Sequence, residues 1–253
     1  MEESVGRLNG KLALVTGAAR RESIGRAISI CLAEEGADVA INDFKREEEA
    51  RELARDIDAL GRRAIVVMAD VTRVSECQRL VAEVVAELGG LDILVNNAGY
   101  SHHQNLDEIT EADFDEMLDL NLKGPFFLAQ SAAPHFRARS FGRVINISSE
   151  QAYIGHPKLP HYSAAKAGMI TMTKSLALAL APAITVNCVA PGPTATGRFR
   201  AGPEYTDEIR NLIPLKRWGE PRDVARTVVF LASADGDAYT GQTLDPNCGT
   251  VMP

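Results

Sequence analysis

In the segment "YSAAK", Tyr162 and Lys166 stand four residues apart, on one face of any helix they share. A free tyrosine, with a pKa of about 10, is only ~0.1% ionised at neutral pH. A cation within a few ångströms lowers that pKa by roughly 1–3 units, which makes the phenol a usable acid–base group for a hydroxyl proton. Taken alone, the pair reads more simply as a tyrosine packed along a lysine stem. Ser149 lies just past an expected strand, where its hydroxyl could hold a substrate oxygen beside the tyrosine; Ser148 is read as the last strand residue. Asn121 sits in "LNLKGPFF", four residues before Pro125. Proline has no N–H, so inside a helix it leaves the carbonyl of residue 121 unpaired. That carbonyl could anchor a water on a proton path to Lys166. The plainer alternative is a proline kink.

A second group of residues suits a dinucleotide. "TGAARRESIG" (16–25) has glycines at Gly17 and Gly25, with Arg20, Arg21, Glu22 and Ser23 between them. The Rossmann fingerprint has its glycines closer together and one in the centre. Ser23, Ile24 and Gly25 nevertheless open a helix whose amides can receive a pyrophosphate. Ser23 is a natural N-cap and its hydroxyl could also donate to a phosphate oxygen. Asp43 ends the next strand, where an acid can bind ribose hydroxyls. Asp70 and Val71 end a third strand, Asn97, Ala98 and Gly99 in "NNAG" a fourth, and Pro191, Gly192 and Thr194 in "PGPTAT" a later one. Each is ordinary turn chemistry by itself. Together, at one edge of one sheet, they predict a dinucleotide. Asp43 favours NAD over NADP, since a 2′-phosphate there would face a carboxylate. Arg20, Arg21, Lys45 and Arg46 argue the other way, and Arg20 is a candidate cofactor contact.

The elements that must position these residues alternate along the chain. Apolar runs at 12–16, 38–43, 64–70, 91–99, 142–149, 183–192 and 241–244 read as strands. Helical periodicity marks 23–36, 71–90, 111–137, 162–180 and a stretch from about Pro221. Strands this apolar on both faces belong inside a sheet covered on both sides. The expected fold class is α/β: a single doubly wound Rossmann-type domain over 1–253, with a seven-stranded parallel sheet flanked by helices. The stretch 194–220 has no strand pattern and reads as a mobile lid over the site.

Composition excludes several classes. The chain has 253 residues, 45% hydrophobic, with a net charge of −7, so it offers no electrostatic reason to bind nucleic acid or an anionic membrane. No apolar run reaches the ~18 residues that span a bilayer, and the start "MEESVGRLNG" is not that of a signal peptide. Cys31, Cys77, Cys188 and Cys248 form no close pair and read as buried free thiols in a reducing cytoplasm. His102 and His103 are adjacent, but no third ligand has a helpful spacing, so no metal is expected. Glu150, Tyr153 and His156 are expected to border a substrate pocket. Arg198 and Arg200 in the lid could attract an anionic substrate, or be solvated lid charges.

Over essentially its whole length the chain resembles the short-chain dehydrogenase/reductase family. The resemblance is carried by "TGAAR…SIG", "NNAG", Asn121, Ser149, "YSAAK", "PGPTAT" and "PLKRWGEPRDVA". It implies hydride exchange between a nicotinamide cofactor and a small-molecule ketone or secondary alcohol. Tyr162 would be the acid/base and Ser149 would stabilise the oxygen. Lys166 would hold the nicotinamide ribose and lower the tyrosine pKa, and Asn121 would organise a water relay. The opening loop departs from the family pattern by two extra residues and the missing central glycine. Longer loops occur in the enoyl reductase branch, but there the tyrosine and lysine are seven apart, so enoyl reduction is set aside. The alternatives are a 3-oxoacyl-[acyl-carrier-protein] reductase, with Arg137, Arg139 and Arg143 giving part of a basic docking patch, and a catalytically silent dinucleotide sensor. Apolar residues on more than one face of 115–136 and 167–183, together with the resemblance, imply a homotetramer or homodimer.

Overall fold

A computed structural model describes residues 6–253; the acidic start read above lies partly outside them. Seven parallel strands form one sheet in the order β3-β2-β1-β4-β5-β6-β7. They are β1 (Leu12–Val15), β2 (Asp38–Asp43), β3 (Ala64–Met68), β4 (Ile93–Asn96), β5 (Gly142–Ile147), β6 (Ile184–Val189) and β7 (Thr243–Leu244). The order reverses between β1 and β4, and a crevice opens there beyond the strand ends. The helices are α1 (Ile24–Glu34), α2 (Glu47–Ala59), α3 (Val74–Leu88), α4 (Glu111–Leu118), α5 (Gly124–Arg139), α6 (Gln151–Ile154), α7 (Pro160–Leu180), α8 (Gly197–Arg200), α9 (Asp207–Leu212) and α10 (Pro221–Ala232).

One core layer packs α1, α2 and α10 on the sheet through Ile28, Leu32, Leu53, Ile57 and Val228. The opposite layer packs α3, α5 and α7 through Leu80, Val84, Leu128, Phe136 and Ala177. Phe136 is fully buried where β5 begins: a Cβ at Gly142 would lie 2.6 Å from its ring. The close approach of strand to ring therefore needs glycine at that position.

Two features differ from expectation. The sequence reading leaves α2 out, because only Ala50, Leu53 and Ile57 of its thirteen residues are buried. Their spacing is helical, and Glu47, Glu48 and Glu49 in the first turn suit the positive end of the helix dipole. The region 111–137 is not one helix, since a π-helical turn, Asp119–Lys123, separates α4 from α5. Pro125 falls in the first turn of α5, where a missing N–H does little harm.

The stretch 194–220 contains α8 and α9 and is closed at its ends by a bridge between Thr194 and Gly219. Its Ala195, Ile213 and Trp218 form a small buried cluster with Cys248 from the C-terminal segment, and Phe199 packs on them. All four cysteines are free and buried. No described helix is long and apolar enough to cross a membrane.

Candidate active site

The chemistry-bearing residues gather beyond the strand ends. Tyr162 lies in the first turn of α7, and Ser149 two residues past β5. Interaction with the Ser149 hydroxyl favours the phenolate and pulls the tyrosine pKa down. Burial is the larger effect and pushes it up. Ser148 is buried and donates its hydroxyl to the Lys166 carbonyl at 2.9 Å, so it is fixed as part of the scaffold.

Lys166 is 4% exposed and burial lowers its pKa to about 8. Its Nζ donates to the Ile147 carbonyl at 2.8 Å and lies 5.7 Å from the centroid of the Tyr162 ring. The expectation that this lysine lowers the tyrosine pKa needs correction. Its ammonium is turned to a backbone carbonyl, and the groups pulling Tyr162 down are Ser149 and, more weakly, Arg198.

Asn121 is fully buried in the π-turn. Its Nδ2 donates to the Met117 carbonyl at 3.0 Å and to the Tyr100 carbonyl at 3.3 Å, while its Oδ1 has no partner. A Cβ at Gly99 would lie 2.5 Å from this oxygen and 3.4 Å from Lys166 Nζ. The two polar atoms thus face the same point, over a glycine that leaves it open. The side-chain oxygen of Asn121 is thus a free acceptor at this point, in addition to the backbone carbonyl that the sequence singled out before Pro125.

Glycines let the ends of β1 and β4 and the start of α1 approach closely at the adjoining sheet edge. Gly17 has φ +61, and a Cβ there would come within 2.8 Å of Ala98 Cα; one at Gly25 would meet Asn97 Nδ2 at 2.4 Å. Asn97 Nδ2 itself donates to the Thr16 and Gly17 carbonyls at 2.8 and 3.1 Å. Thr16 Oγ1 accepts the N–H groups of Asn97 and Ala98 at 3.1 and 3.0 Å. Thr16, which sequence reasoning did not single out, therefore ties the ends of β1 and β4 together as the cleft floor. Ile24 and Gly25 open α1 as expected. Ser23 caps it by accepting from Arg26 N at 3.2 Å, but donates to the Arg20 carbonyl at 2.7 Å. Its proton is used within the loop, contrary to the expected donation to phosphate.

The other strand-end residues line the same edge. Asp43 is 5% exposed. Its Oδ1 accepts from Phe44 N at 2.9 Å and Lys45 N at 3.3 Å, and its Oδ2 from Ala19 N at 3.3 Å. Asp70 accepts from Thr72 N and Oγ1 at 3.0 and 2.7 Å and so closes the turn into α3. The Val71 carbonyl would lie 2.4 Å from a Cβ at Gly124. Thr194 donates to the Gly192 carbonyl at 2.9 Å, and Pro191 accepts from Glu150 N at 3.0 Å.

The two extra loop residues have distinct partners. Arg21 turns away from the cleft to Glu52, with contacts of 3.0 and 2.6 Å. Glu22 adopts a left-handed φ of +50 and meets the start of α8. Its carbonyl accepts from Gly197 N at 3.1 Å, and its carboxylate lies 3.5 Å from Arg200. The lengthened loop is thus a brace between the cofactor cleft and α8.

Below the site, Asn96 donates to Asn146 at 2.8 Å, and Asn146 to Thr173 at 2.9 Å, all of them buried. This network joins β4, β5 and α7. Its signal in the sequence is asparagine inside apolar runs. Several other expectations change. Glu150 is buried and accepts from Thr250 rather than lining a pocket, and burial raises its pKa. Arg139 binds buried Asp92 at 2.7 Å, and buried Arg143 pairs with Asp237. Neither is a free member of a basic patch. Space also supplies what spacing did not: Glu204 of the lid comes to His103 and His156, with donor atoms all within 4.8 Å. His156 Nδ1 already accepts from Lys158 N at 3.1 Å.

A family model described as Enoyl-(Acyl carrier protein) reductase matches residues 17–250. The 3-oxoacyl-[acyl-carrier-protein] reductase FabG of Staphylococcus aureus is 41% identical over 244 residues, 96% of this chain and 98% of that protein. The 2-dehydro-3-deoxy-D-gluconate 5-dehydrogenase of Escherichia coli is 38% identical over 243 residues, 94% of each. Among solved structures, a short chain dehydrogenase from Burkholderia cenocepacia in complex with NADP has a TM-score of 0.90 at 38% identity, covering 96% of this chain and 99% of that one. A blue fluorescent protein from a metagenomic library, in complex with NADPH, has a TM-score of 0.89 at 36% identity, covering 97% and 100%.

Proposed function

The chain belongs to the short-chain dehydrogenase/reductase family, oxidoreductases that exchange a hydride between a nicotinamide cofactor and a ketone or secondary alcohol, and on that premise we propose how its residues divide the work. Tyr162 takes the hydroxyl proton in oxidation and returns it in reduction. Ser149 holds the reacting oxygen beside it. Lys166 binds the nicotinamide ribose, and Asn121 holds a water on its free Oδ1 for proton exchange with Lys166. Gly17, Ile24, Gly25, Asn97, Ala98, Gly99, Pro191, Gly192 and Thr194 form the cleft for the dinucleotide, which when bound supplies or accepts the hydride. The observation that carries this reading is the convergence of Asn121 Oδ1 and Lys166 Nζ over Gly99, with the Tyr162 ring 5.7 Å from the same Nζ. The test is a screen of ketones and secondary alcohols by nicotinamide absorbance. Inactivity of the pure protein toward the whole panel would favour a silent sensor. Residues 1–253 act as one catalytic domain with 194–220 as lid. The four-residue spacing of Tyr162 and Lys166 keeps enoyl reduction set aside.

NAD is the proposed cofactor. Asp43 is held by three backbone N–H groups, so a 2′-phosphate would meet a fixed anion, and like charges in such a place cost on the order of several kcal/mol. Arg21 is engaged by Glu52, and Arg46 lies 3.6 Å from Asp43 itself. Exposed Arg20 and the NADP and NADPH complexes of two structural relatives weigh the other way. With one accepted substrate, kcat/KM is expected to favour NAD by about tenfold or more, a difference of ~1.4 kcal/mol. Asp43→Ser should narrow that ratio. A tenfold preference of the native chain for NADP would make Arg20 a phosphate ligand.

Reduction of a 3-oxoacyl group on a carrier protein is the second reading, supported by the named reductases at 41% identity. It needs a docking surface other than Arg139 and Arg143, whose charges are already paired.

A homodimer or homotetramer is proposed from α4, α5 and α7. Leu118, Leu122, Phe126, Gly168 and Met172 line an open cleft between them, and Phe114 and Leu178 are exposed nearby. Burying each large side chain contributes about 1.5–3 kcal/mol. Light scattering at micromolar concentration should give at least twice the chain mass, and Phe126→Asp should lower it. A native monomer would refute the assembly. The buried free thiols support a cytoplasmic location.

A further inference from the structure

The lid presents two arginines that meet different fates. In α8, "GRFR", Thr196 caps the first turn by accepting from Phe199 N at 3.2 Å. Phe199 packs edge-on against Trp218, with ring centroids 5.2 Å apart, and this fixes the rotation of the helix. Arg200 faces the cofactor loop and lies 3.5 Å from Glu22 and 3.3 Å from Glu220. Arg198 faces the catalytic side. Its Nη2 donates to the Ser101 carbonyl at 2.8 Å, and its guanidinium lies 6.0 Å from the centre of the Tyr100 ring. The preceding carbonyl, that of Tyr100, accepts from Asn121 at 3.3 Å. Two adjacent peptide units therefore receive the buried catalytic-site amide and the lid arginine. Arg198 has no ion pair with a carboxylate among the described residues, whereas its neighbour Arg200 has two.

A guanidinium has five donors in a planar fork, and one bond to a carbonyl leaves most of them unused. The fork matches a carboxylate with two parallel hydrogen bonds. The charge also reaches Tyr162, whose pKa it draws down. An anion seated on Arg198 would thus lie beside the Tyr100–Ser101 segment, one peptide unit from the carbonyl that Asn121 binds.

We propose that the substrate of this site is a hydroxy acid or oxo acid, and that Arg198 holds its carboxylate while Ser149 and Tyr162 hold the reacting oxygen. This rests on the oxidoreductase reading above. The reaction is unchanged by it: the carbinol C–H hydride leaves for the oxidised nicotinamide, the hydroxyl proton goes to Tyr162, and a C=O forms. The carboxylate itself does not react.

The test uses the full chain with matched pairs: 3-hydroxybutyrate against its methyl ester, and gluconate against the open-chain polyol glucitol. Native protein should show a kcat/KM for the acids at least about tenfold above that for their neutral partners, the size of one charge-assisted contact. Arg198→Ala should bring that ratio close to one, mainly through KM for the acid, and Arg198→Lys should restore part of it. Arg200→Ala, in the same helix turn, should keep the ratio. Calorimetry should give Arg198→Ala the cofactor affinity of the native chain. Equal turnover of acids and neutral partners, or an Arg198→Ala protein that keeps the preference, overturns the proposal and leaves the oxidoreductase reading standing. Weakened cofactor binding would make Arg198 a pyrophosphate ligand and also overturns it. No turnover of any probe overturns both.

Discussion

Tyr162→Phe is expected to lower kcat by about 10²–10⁴, the range that general acid–base catalysis contributes, while cofactor affinity stays near that of the native chain. The substitution removes the phenol oxygen and leaves the ring, so the packing of the first turn of α7 is retained. The Ser149 hydroxyl still accepts from Gln151 N at 3.2 Å and so keeps its position. The loss should fall on kcat rather than on substrate KM, because the proton moves only in the transition state. Steady-state kinetics with one accepted substrate, and calorimetric titration of the cofactor, check the two halves. A variant retaining more than about a tenth of native kcat would remove Tyr162 from the proton step.

The elements that position this tyrosine were the most legible part of the chain. Strands β1, β2, β4 and β5 are apolar on both faces, and the helices between them bury a face of period 3.6. Legibility failed where tertiary geometry overrides local pattern. By contrast, α2 has a helical local pattern, with Ala50, Leu53 and Ile57 on one face of a highly charged segment, and escapes the sequence reading only because those apolar residues are few. The break at Asp119–Lys123 is a π-turn that a period of 3.6 does not reveal, although Pro125 marked its neighbourhood.

At the site, residue types and spacing identified the groups but not the directions in which their polar atoms point. Lys166 was legible as the partner of Tyr162, yet its ammonium turns to Ile147. Ser23 was legible as a cap, yet its proton goes to Arg20. Arg139 and Arg143 looked like a docking patch and are paired with Asp92 and Asp237. Contacts between distant segments had no local signal at all. Glu22 meets Gly197, and Glu204 reaches His103 and His156, only through the tertiary placement of the 194–220 stretch.

Lys166→Met should abolish turnover without the loss of stability usual for a core substitution, and the difference should depend on pH with a definite sign. The ammonium is 4% exposed, and burial lowers its pKa from 10.5 to about 8. Below pH 8 both folded and unfolded chains carry the proton, and the folded chain bears the full cost of a buried charge. Between about 8 and 10.5 the unfolded chain holds a proton that the folded chain has released, so this group makes stability rise with pH. The slope is at most about 1.4 kcal/mol per pH unit, and the total is on the order of 3 kcal/mol. Methionine removes that cost at every pH but leaves the Ile147 carbonyl without its donor, a loss of about 1–3 kcal/mol. At pH 7 the two effects nearly offset, so native and variant proteins should unfold at similar temperatures. By pH 9.5 the native chain should be the more stable by about 1–2 kcal/mol. Denaturant melts at the two pH values measure this, and a difference independent of pH would mean that the ammonium is not the buried charge. The cofactor supplies the second readout. Saturating NAD should raise the melting temperature of the native chain by mass action and raise that of the variant far less, because the ribose has lost its ligand. An equal rise in both would take the ribose away from Lys166. A buried lysine that weakens the fold at neutral pH, set where Asn121 Oδ1 and the open side of Gly99 converge, fits the proposed role on the cofactor ribose better than a role in the packing of α7.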